Sequence, residues 1–190
     1  MNGTKAGITA DSVFIRQSKR GDFNKYARML QKSIEVAYSS RKLGLDRSLF
    51  SVRVFSSEGM QNWMKDNLYP ASGKWTFVAT YRSRIVGAIT VKKERRRNEL
   101  RAFYVDPRFQ GLGVGKKLLK HALRLSLGKE IVLTMYPHNL KTFLIYKRWG
   151  FRRYGTAGYH HWSAWPDGVR MRYARMLLPR NSAQKLYKSI

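Results

Sequence analysis

The first 40 residues show two kinds of hydrophobic spacing. Residues 13–20 alternate apolar and polar side chains, as a half-buried strand does, until Gly21 and Asp22 interrupt the alternation. From Asp22 to Ser40 apolar residues recur three and four positions apart, which is the period of a helix with one buried face. The residues of that face are Phe23, Tyr26, Ala27, Leu30, Ile34 and Ala37. The pattern predicts a strand followed by a helix.

A second helix is predicted near residue 57. Ser56 or Ser57 can cap it, and Pro70 and Gly73 end it. Its apolar residues are Met60, Trp63 and Met64.

Short apolar runs replace this helical spacing from Lys74 onward. Residues 75–82, 84–93 and 99–106 read as three strands joined by short polar turns, which predicts an antiparallel meander. The second half of the chain alternates: a helix from about Gly113, a strand over 130–137, a helix capped by Gly150, and strands around 151–163 and 169–178.

This order of elements predicts an α/β fold in which helices cover a mixed sheet. The length of 190 residues suits one domain, which we assign to residues 13–179, with tails at 1–12 and 180–190.

Cysteine is absent, so the chain has neither disulfides, nor thiolate metal sites, nor a cysteine nucleophile. No stretch approaches the roughly 18 apolar residues of a membrane span, and the N-terminus does not resemble a signal peptide. We therefore expect a cytoplasmic protein without a membrane partner. His160 and His161 are neighbours on a predicted strand and point to opposite faces, so no metal site is expected.

Charge is the unusual feature of the composition. The chain has 38 Lys and Arg against 11 Asp and Glu, a formal net charge of +27. A field of this size attracts polyanions, so nucleic acid and ribosomes are candidate partners. The alternative is a surface that only keeps the protein soluble, although a net charge of about 2 to 8 suffices for that in a small domain.

The segment QGLGVG, Gln110–Gly115, lies between a predicted strand and a predicted helix. A glycine-rich turn at a helix N-terminus presents free backbone N–H groups and the positive end of the helix dipole to an anion. Lys116 and Lys117 follow in the first turn, where cations oppose the dipole unless a negative ligand is near. The segment lacks the Gly-Lys-Ser/Thr of a nucleotide P-loop and the acidic ribose-binding residue of a dinucleotide fold.

The segment resembles the CoA loop of the GNAT superfamily of N-acetyltransferases. That loop has the pattern Gln/Arg-x-x-Gly-x-Gly/Ala and follows a strand that ends in Val-x-Pro. Gln110, Gly113 and Gly115 match it in register. A second family pattern is met by Asn139, Tyr146 and the pair Gly150-Phe151, with Thr142 standing where alanine is frequent. The resemblance covers about residues 13–178 and implies a central, mostly antiparallel sheet flanked by helices.

The resemblance implies that acetyl-CoA is the acyl donor. Its pyrophosphate would be held by the backbone amides of Gly111, Leu112, Gly113, Val114, Gly115 and Lys116. Val105 would pair with the pantetheine arm through its backbone, and the N–H of Phe103 would polarise the thioester carbonyl. Asn139 would contact the CoA arm or its bound water.

Tyr146 is the candidate general acid, because attack of an amine on a thioester expels a thiolate that a nearby phenol can protonate. The alternative is a helix tyrosine packed in the core. Glu99 stands where some members of the family place the base that deprotonates the amine. The alternative is that Glu99 only balances the positive charge of Arg95, Arg96, Arg97 and Arg101. One of the two histidines could also serve as the base.

The predicted function is transfer of acetyl from acetyl-CoA to a primary amine of unknown identity. The rival prediction is a nucleic-acid- or ribosome-binding protein that keeps the fold with little or no turnover. The aromatic cluster of Tyr159, Trp162 and Trp165 reads as hairpin packing rather than as a stacking platform for bases.

Overall fold

A sheet of eight strands forms the centre of the computed structural model, which describes residues 9–161 and 170–190. Its strands are β1 Phe14–Gln17, β2 Lys74–Tyr81, β3 Arg84–Lys93, β4 Arg97–Val105, β5 Glu130–Met135, β6 Arg152–Arg153, β7 Gly158–His161 and β8 Arg170–Leu178. The strand order is β1-β2-β3-β4-β5-β8-β6, and β7 also pairs with β8. Only the β4–β5 neighbours run parallel among these pairings. The predicted α/β fold with a mostly antiparallel sheet is confirmed.

Six helices accompany the sheet in the part of the chain that the structure describes. They are α1 Phe23–Tyr38, α2 Val52–Phe55, α3 Glu58–Leu68, α4 Val114–Leu125, α5 Leu140–Arg148 and α6 Arg180–Ser189. The four long helices predicted from apolar spacing correspond to α1, α3, α4 and α5. Residues 41–55, for which the apolar spacing predicts no element, form α2 and two 3-10 turns.

The two faces of the sheet carry separate hydrophobic layers. On one face α1 and α3 bury residues such as Leu30, Ile34 and Met64 against β2 and β3. On the other face α4 buries Leu118 and Leu119 against β2, β3 and β4. The predicted apolar face of α1 is largely confirmed, since Tyr26, Leu30 and Ile34 are fully buried.

Residues 180–190, assigned to a C-terminal tail, form α6 instead. Ala183 is buried, and Leu186, Tyr187 and Ile190 pack on the α4 face of the sheet. These four residues have the spacing of one helical stripe, so burial of that stripe explains why the segment is ordered.

The structure also shortens two predicted strands. β1 ends at Gln17, because Arg20–Asp22 turn into a 3-10 helix in which Asp22 binds Arg16. The strand predicted around 151–163 is divided into β6 and β7. Trp162, Trp165 and the turn at 166–168 lie outside the described residues, as does the side chain of His161.

Candidate active site

A cleft opens where β4 and β5 separate. The two strands pair in parallel only as far as Leu100 and Leu133. Beyond that point β4 stays with β3 as far as Val105, while β5 stays with β8 as far as Met135. The resulting cleft has a volume of about 1330 Å³ and is lined by both strands and by residues of α1, α3, α4 and α5. Unpaired strand edges of this kind can bind an extended ligand by backbone hydrogen bonds.

A β-bulge in β4 lies at the point of separation. Ala88 pairs with Tyr104 and Thr90 with Arg101, so Ala102 and Phe103 together face the single residue Ile89. Ala102 has φ +46, in the left-handed region that a residue with a Cβ rarely adopts. A bulge leaves its extra residue out of the ladder, so this segment has backbone polar groups that are not paired with β3. Phe103, the residue predicted to supply the N–H, is part of the bulge and lines the cleft.

The glycine segment forms the turn that starts α4. Gly111 and Gly113 have φ values of +82 and +79, which favour glycine strongly, and Gly113 is the N-cap residue. The first N–H groups of a helix have no carbonyl partner within it, so those of α4 are available to an anion beside the turn.

This turn fits a phosphate-bearing ligand. Gly111, Gly113, Gly115 and Lys116 line the cleft. Leu112 packs on the core and Val114 is buried, so these two residues can take part only through their backbones.

Gln110 joins the turn to the strand. Its Nε2 donates to the carbonyl of Val105 at 3.2 Å, and its Oε1 accepts from Lys141 at 3.4 Å. The loop motif, the end of β4 and the start of α5 are therefore held together by one side chain.

Asn139 and Tyr146 lie at opposite ends of α5, and both line the cleft. Asn139 caps the helix, because its Oδ1 accepts from the N–H of Thr142 at 3.2 Å. Tyr146 is 7% exposed, and its ring lies 5.4 Å from that of Phe151 and 6.5 Å from that of Phe103, centroid to centroid. Burial raises the pKa of the Tyr146 phenol well above its usual value, so the hydroxyl keeps its proton at neutral pH.

Glu99 lines the cleft from β4, opposite Lys92 on β3 and Val132 on β5. Its predicted alternative role was to balance neighbouring arginines. In the structure Arg97 pairs with Glu130 and Arg101 with Asp66, while Glu99 has no ion pair within the described residues.

Four aromatic and imidazole side chains that the sequence analysis did not connect lie at the end of the cleft near α1. The hydroxyls of Tyr38 and Tyr104 are 2.9 Å apart, and the Tyr136 hydroxyl is 3.1 Å from His160 Nδ1. The rings of Tyr38 and Tyr136 meet edge to face at 4.9 Å between centroids. Burial, and then the charge of Arg175, lower the pKa of His160, so the imidazole is neutral at pH 7.

The charged residues that line the cleft are Glu99, Arg101, Lys116, Lys141, Arg148 and Arg175. Five of these six are cationic. Lys116 and Lys141 lie at the starts of α4 and α5 beside the glycine turn, Arg148 lies at the other end of α5, and the other three lie on β4 and β8. No group of three histidine and carboxylate side chains suited to a metal ion occurs within the described ranges. Of the described helices, none has both the length and the apolar character needed to cross a bilayer.

Comparisons with known proteins agree with this geometry. Residues 72–153 match the family model of the acetyltransferase (GNAT) domain. The spermine/spermidine N(1)-acetyltransferase of Bacillus subtilis is 36% identical over 62 residues, 30% of this chain and 41% of that protein. The N-acetylaspartate synthetase of Xenopus tropicalis is 30% identical over 129 residues, 65% of this chain and 45% of that protein. The chain thus spans less than half the length of these two relatives.

A solved structure shares the fold. The PaiA N-acetyltransferase of Thermoplasma acidophilum, crystallised in complex with coenzyme A, superposes with a TM-score of 0.60 at 20% identity. The superposition covers 88% of this chain and 98% of that one.

Proposed function

The chain belongs to the GNAT superfamily, and on that premise we propose that it transfers an acetyl group from acetyl-CoA to a primary amine. The observation that carries the proposal is the position of the glycine turn. It places the free N–H groups of α4 at one edge of a cleft that also contains the bulge in β4 and Tyr146.

The donor would be bound mainly by backbone groups. N–H groups from Gly111 to Lys116 would hold the pyrophosphate, with Lys116 and Lys141 adding positive charge. The pantetheine arm would lie along the free edge of β4 near Val105. The carbonyl of Val105 already accepts from Gln110, so the arm would depend on other backbone groups of the segment as well. Asn139, which caps α5, would contact the arm or a water bound to it.

The chemistry needs no covalent enzyme intermediate. The neutral amine attacks the thioester carbonyl carbon, the C–S bond breaks, and the acetyl group becomes an amide. The N–H of Phe103 in the bulge stabilises the negative charge that develops on the carbonyl oxygen. Tyr146 donates its phenolic proton to the departing thiolate, and the proton that the nitrogen loses as the amide forms restores the phenol. The usual pKa of a tyrosine, about 10, already exceeds that of a thiol, about 8.5, and burial raises the pKa of Tyr146 further, so this donor gives only part of the usual general-acid advantage.

Two side chains are suitable bases for the amine, and both line the cleft. Glu99 is free of ion pairs within the described part of the chain, and neutral His160 can accept a proton. A base is needed because an alkylammonium with a pKa of about 10.4 is almost fully protonated at neutral pH.

The donor site can be tested with Gly113→Val, which puts a Cβ on a left-handed residue within the turn. Calorimetric titration should show loss of acetyl-CoA binding by the folded variant. The matched control is Gly128→Val, since Gly128 has φ +84 beyond the other end of α4 and does not line the cleft. Equal CoA affinity in the two folded variants would overturn the assignment.

We infer a second function, contact with nucleic acid, from the way the fold joins two basic segments, residues 92–101 and 148–153. Arg97 donates to the hydroxyl of Tyr154, and its guanidinium lies 4.6 Å from the centre of that ring. The Lys129 ammonium donates to the carbonyl of Glu94 at 2.8 Å. Arg95, Arg96, Lys129, Arg152 and Arg153 therefore lie at one end of the sheet, and we call them the basic end.

The basic end lies away from the cleft. β4 and β5 begin there, at Arg97 and Glu130, and separate at their opposite ends. A polyanion bound at the basic end would leave the cleft open. A cytoplasmic location, which suits both functions, stays a prediction.

A further inference from the structure

We propose that the acceptor is an amine that also carries an anionic group, a carboxylate or a phosphate, and that Arg101 and Arg175 hold that group. This inference rests on the proposed acetyltransferase function and names its substrate class.

The two arginines lie on either side of Thr134, and the three residues form one row across β4, β5 and β8. Thr134 on β5 pairs directly with Arg175 on β8. Leu100 pairs with Leu133, so Arg101 is the next residue of β4 beside Thr134, at the point where β4 and β5 begin to separate. All three residues line the cleft.

The side chains in this row share a face. Successive residues of a strand point to opposite faces, and Leu100 and Leu133 belong to the core on the α4 side. Arg101 and Thr134 therefore point to the α1 and α3 side, which the ion pair of Arg101 with Asp66 on α3 confirms for the arginine. Paired strands are about 4.8 Å apart, which places Arg175 directly beside Thr134, while Arg101 borders Thr134 where the cleft begins to open. Two guanidinium groups can therefore reach one ligand from either side of Thr134.

The protein neutralises the positive charge of this row only in part. Asp66 serves two cations, since its carboxylate lies 3.2 Å from Arg101 and 3.1 Å from Lys74. Arg175 is exposed and forms no ion pair within the described residues. Glu99 is the one carboxylate among the described residues that line the cleft.

The CoA phosphates do not account for these two arginines. Lys116 and Lys141 lie at helix starts beside the glycine turn, whereas Arg101 and Arg175 lie on the strands of the sheet. Guanidinium groups bind carboxylates and phosphates through paired hydrogen bonds. Glu99 and His160 remain to receive the amine. A polycation such as spermidine would meet two arginines and a single carboxylate, an unfavourable balance in a partly closed cleft.

The test uses amines with the same two-carbon spacer and different second groups. They are β-alanine, O-phosphoethanolamine, ethanolamine and ethylenediamine, which end in a carboxylate, a phosphate, a hydroxyl and a second amine. With acetyl-CoA saturating, kcat/KM for at least one anionic amine should exceed that for ethanolamine tenfold or more, and ethylenediamine should be poorest. The better of the two anionic amines identifies the group.

Substitutions test which arginines cause the preference for an anionic amine. Arg175→Gln should reduce the preference for the anionic amine over ethanolamine at least fivefold through KM, and Arg101→Gln should act in the same direction. Arg172→Gln is the matched control, an exposed arginine of β8 that does not line the cleft. Calorimetry with the CoA-loaded protein gives a second readout of anionic amine binding.

The outcomes separate the two proposals. If CoA binds but ethylenediamine or spermidine is preferred, or no anionic amine binds or reacts, the inference is wrong and the donor site stands. An unchanged preference in Arg175→Gln would also overturn it. If the protein does not bind CoA, both the function and the inference fail.

Discussion

At the scale of single residues, Tyr146 has two possible roles that substitution can separate. As a core side chain it packs on Phe103, Trp149 and Phe151. As a general acid it needs only its hydroxyl, which forms no hydrogen bond within the described part of the chain. Phenylalanine keeps the packing and removes the proton.

We predict that Tyr146→Phe lowers kcat roughly ten- to a thousandfold, within or below the general-acid range of about 10² to 10⁴, with CoA affinity little changed. Steady-state kinetics with an accepted amine and calorimetry with CoA measure the two quantities. Tyr187→Phe on α6, outside the cleft, is the control and should keep the parental rate. A parental rate in Tyr146→Phe would assign the tyrosine to packing alone.

Two contacts between side chains in the cleft could not be predicted from the sequence. The sequence could not connect Tyr136 with His160, which are 24 positions apart, because their contact depends on how β7 is placed beside the end of β5. The same holds for Tyr38 and Tyr104, which come from a helix and a strand 66 positions apart. Helix and strand periods predict such residues only as parts of buried faces.

At the scale of elements, α6 is the clearest addition to the sequence analysis. The segment is polar overall, and this composition hid a stripe of Ala183, Leu186, Tyr187 and Ile190. The helix packs on α4 and β5, and Lys120 on α4 donates to the carbonyl of Ile190. The four residues have helical spacing, so counting the spacing would have found the element.

We predict that Ala183→Glu lowers the free energy of unfolding by at least about 2 kcal/mol, because Ala183 is 2% exposed and a carboxylate there has no partner. Gln184→Glu on the exposed face of the same helix should change it by less than about 0.5 kcal/mol. Urea unfolding followed by circular dichroism gives both values. Equal stability of the two variants would mean that α6 does not pack in solution.

At the scale of the whole molecule, a net charge of +27 exceeds what an acetyl-CoA site needs, since a pyrophosphate and a 3′-phosphate take only a few cations. The two basic segments are separate in the sequence. The Arg97 contact with Tyr154 brings them to the same end of the sheet, where β3 ends and β4 begins. The cationic side chains of the basic end therefore come from separate parts of the sequence and lie together in the fold.

We predict that the protein binds RNA or DNA with an affinity that falls steeply with salt, and that reversing Arg95, Arg96, Arg152 and Arg153 to glutamate flattens that dependence. Fluorescence anisotropy across a salt series measures the slope. CoA affinity should not change. Arg97 is left intact because it pairs with Glu130 and Tyr154.

Reversing Arg41 and Lys42, exposed residues of a 3-10 turn after α1, is the control for net charge. It should alter the slope less than reversal at the basic end. No binding of the parental protein at about 50 mM salt would show that the charge is only a solvated surface.

The sequence by itself determined the order of the main helices and strands, the fold class and the glycine turn. These depend on local spacing and local backbone needs: apolar periods of two and three to four, and positive φ at Gly111 and Gly113. The tertiary structure alone decided the features that depend on contacts between distant segments. It placed the bulge at Ala102 and the separation of β4 from β5, because strand register is set by neighbouring strands. It likewise placed Arg101 and Arg175 on either side of Thr134, because pairing across a sheet leaves no trace in the spacing along one strand.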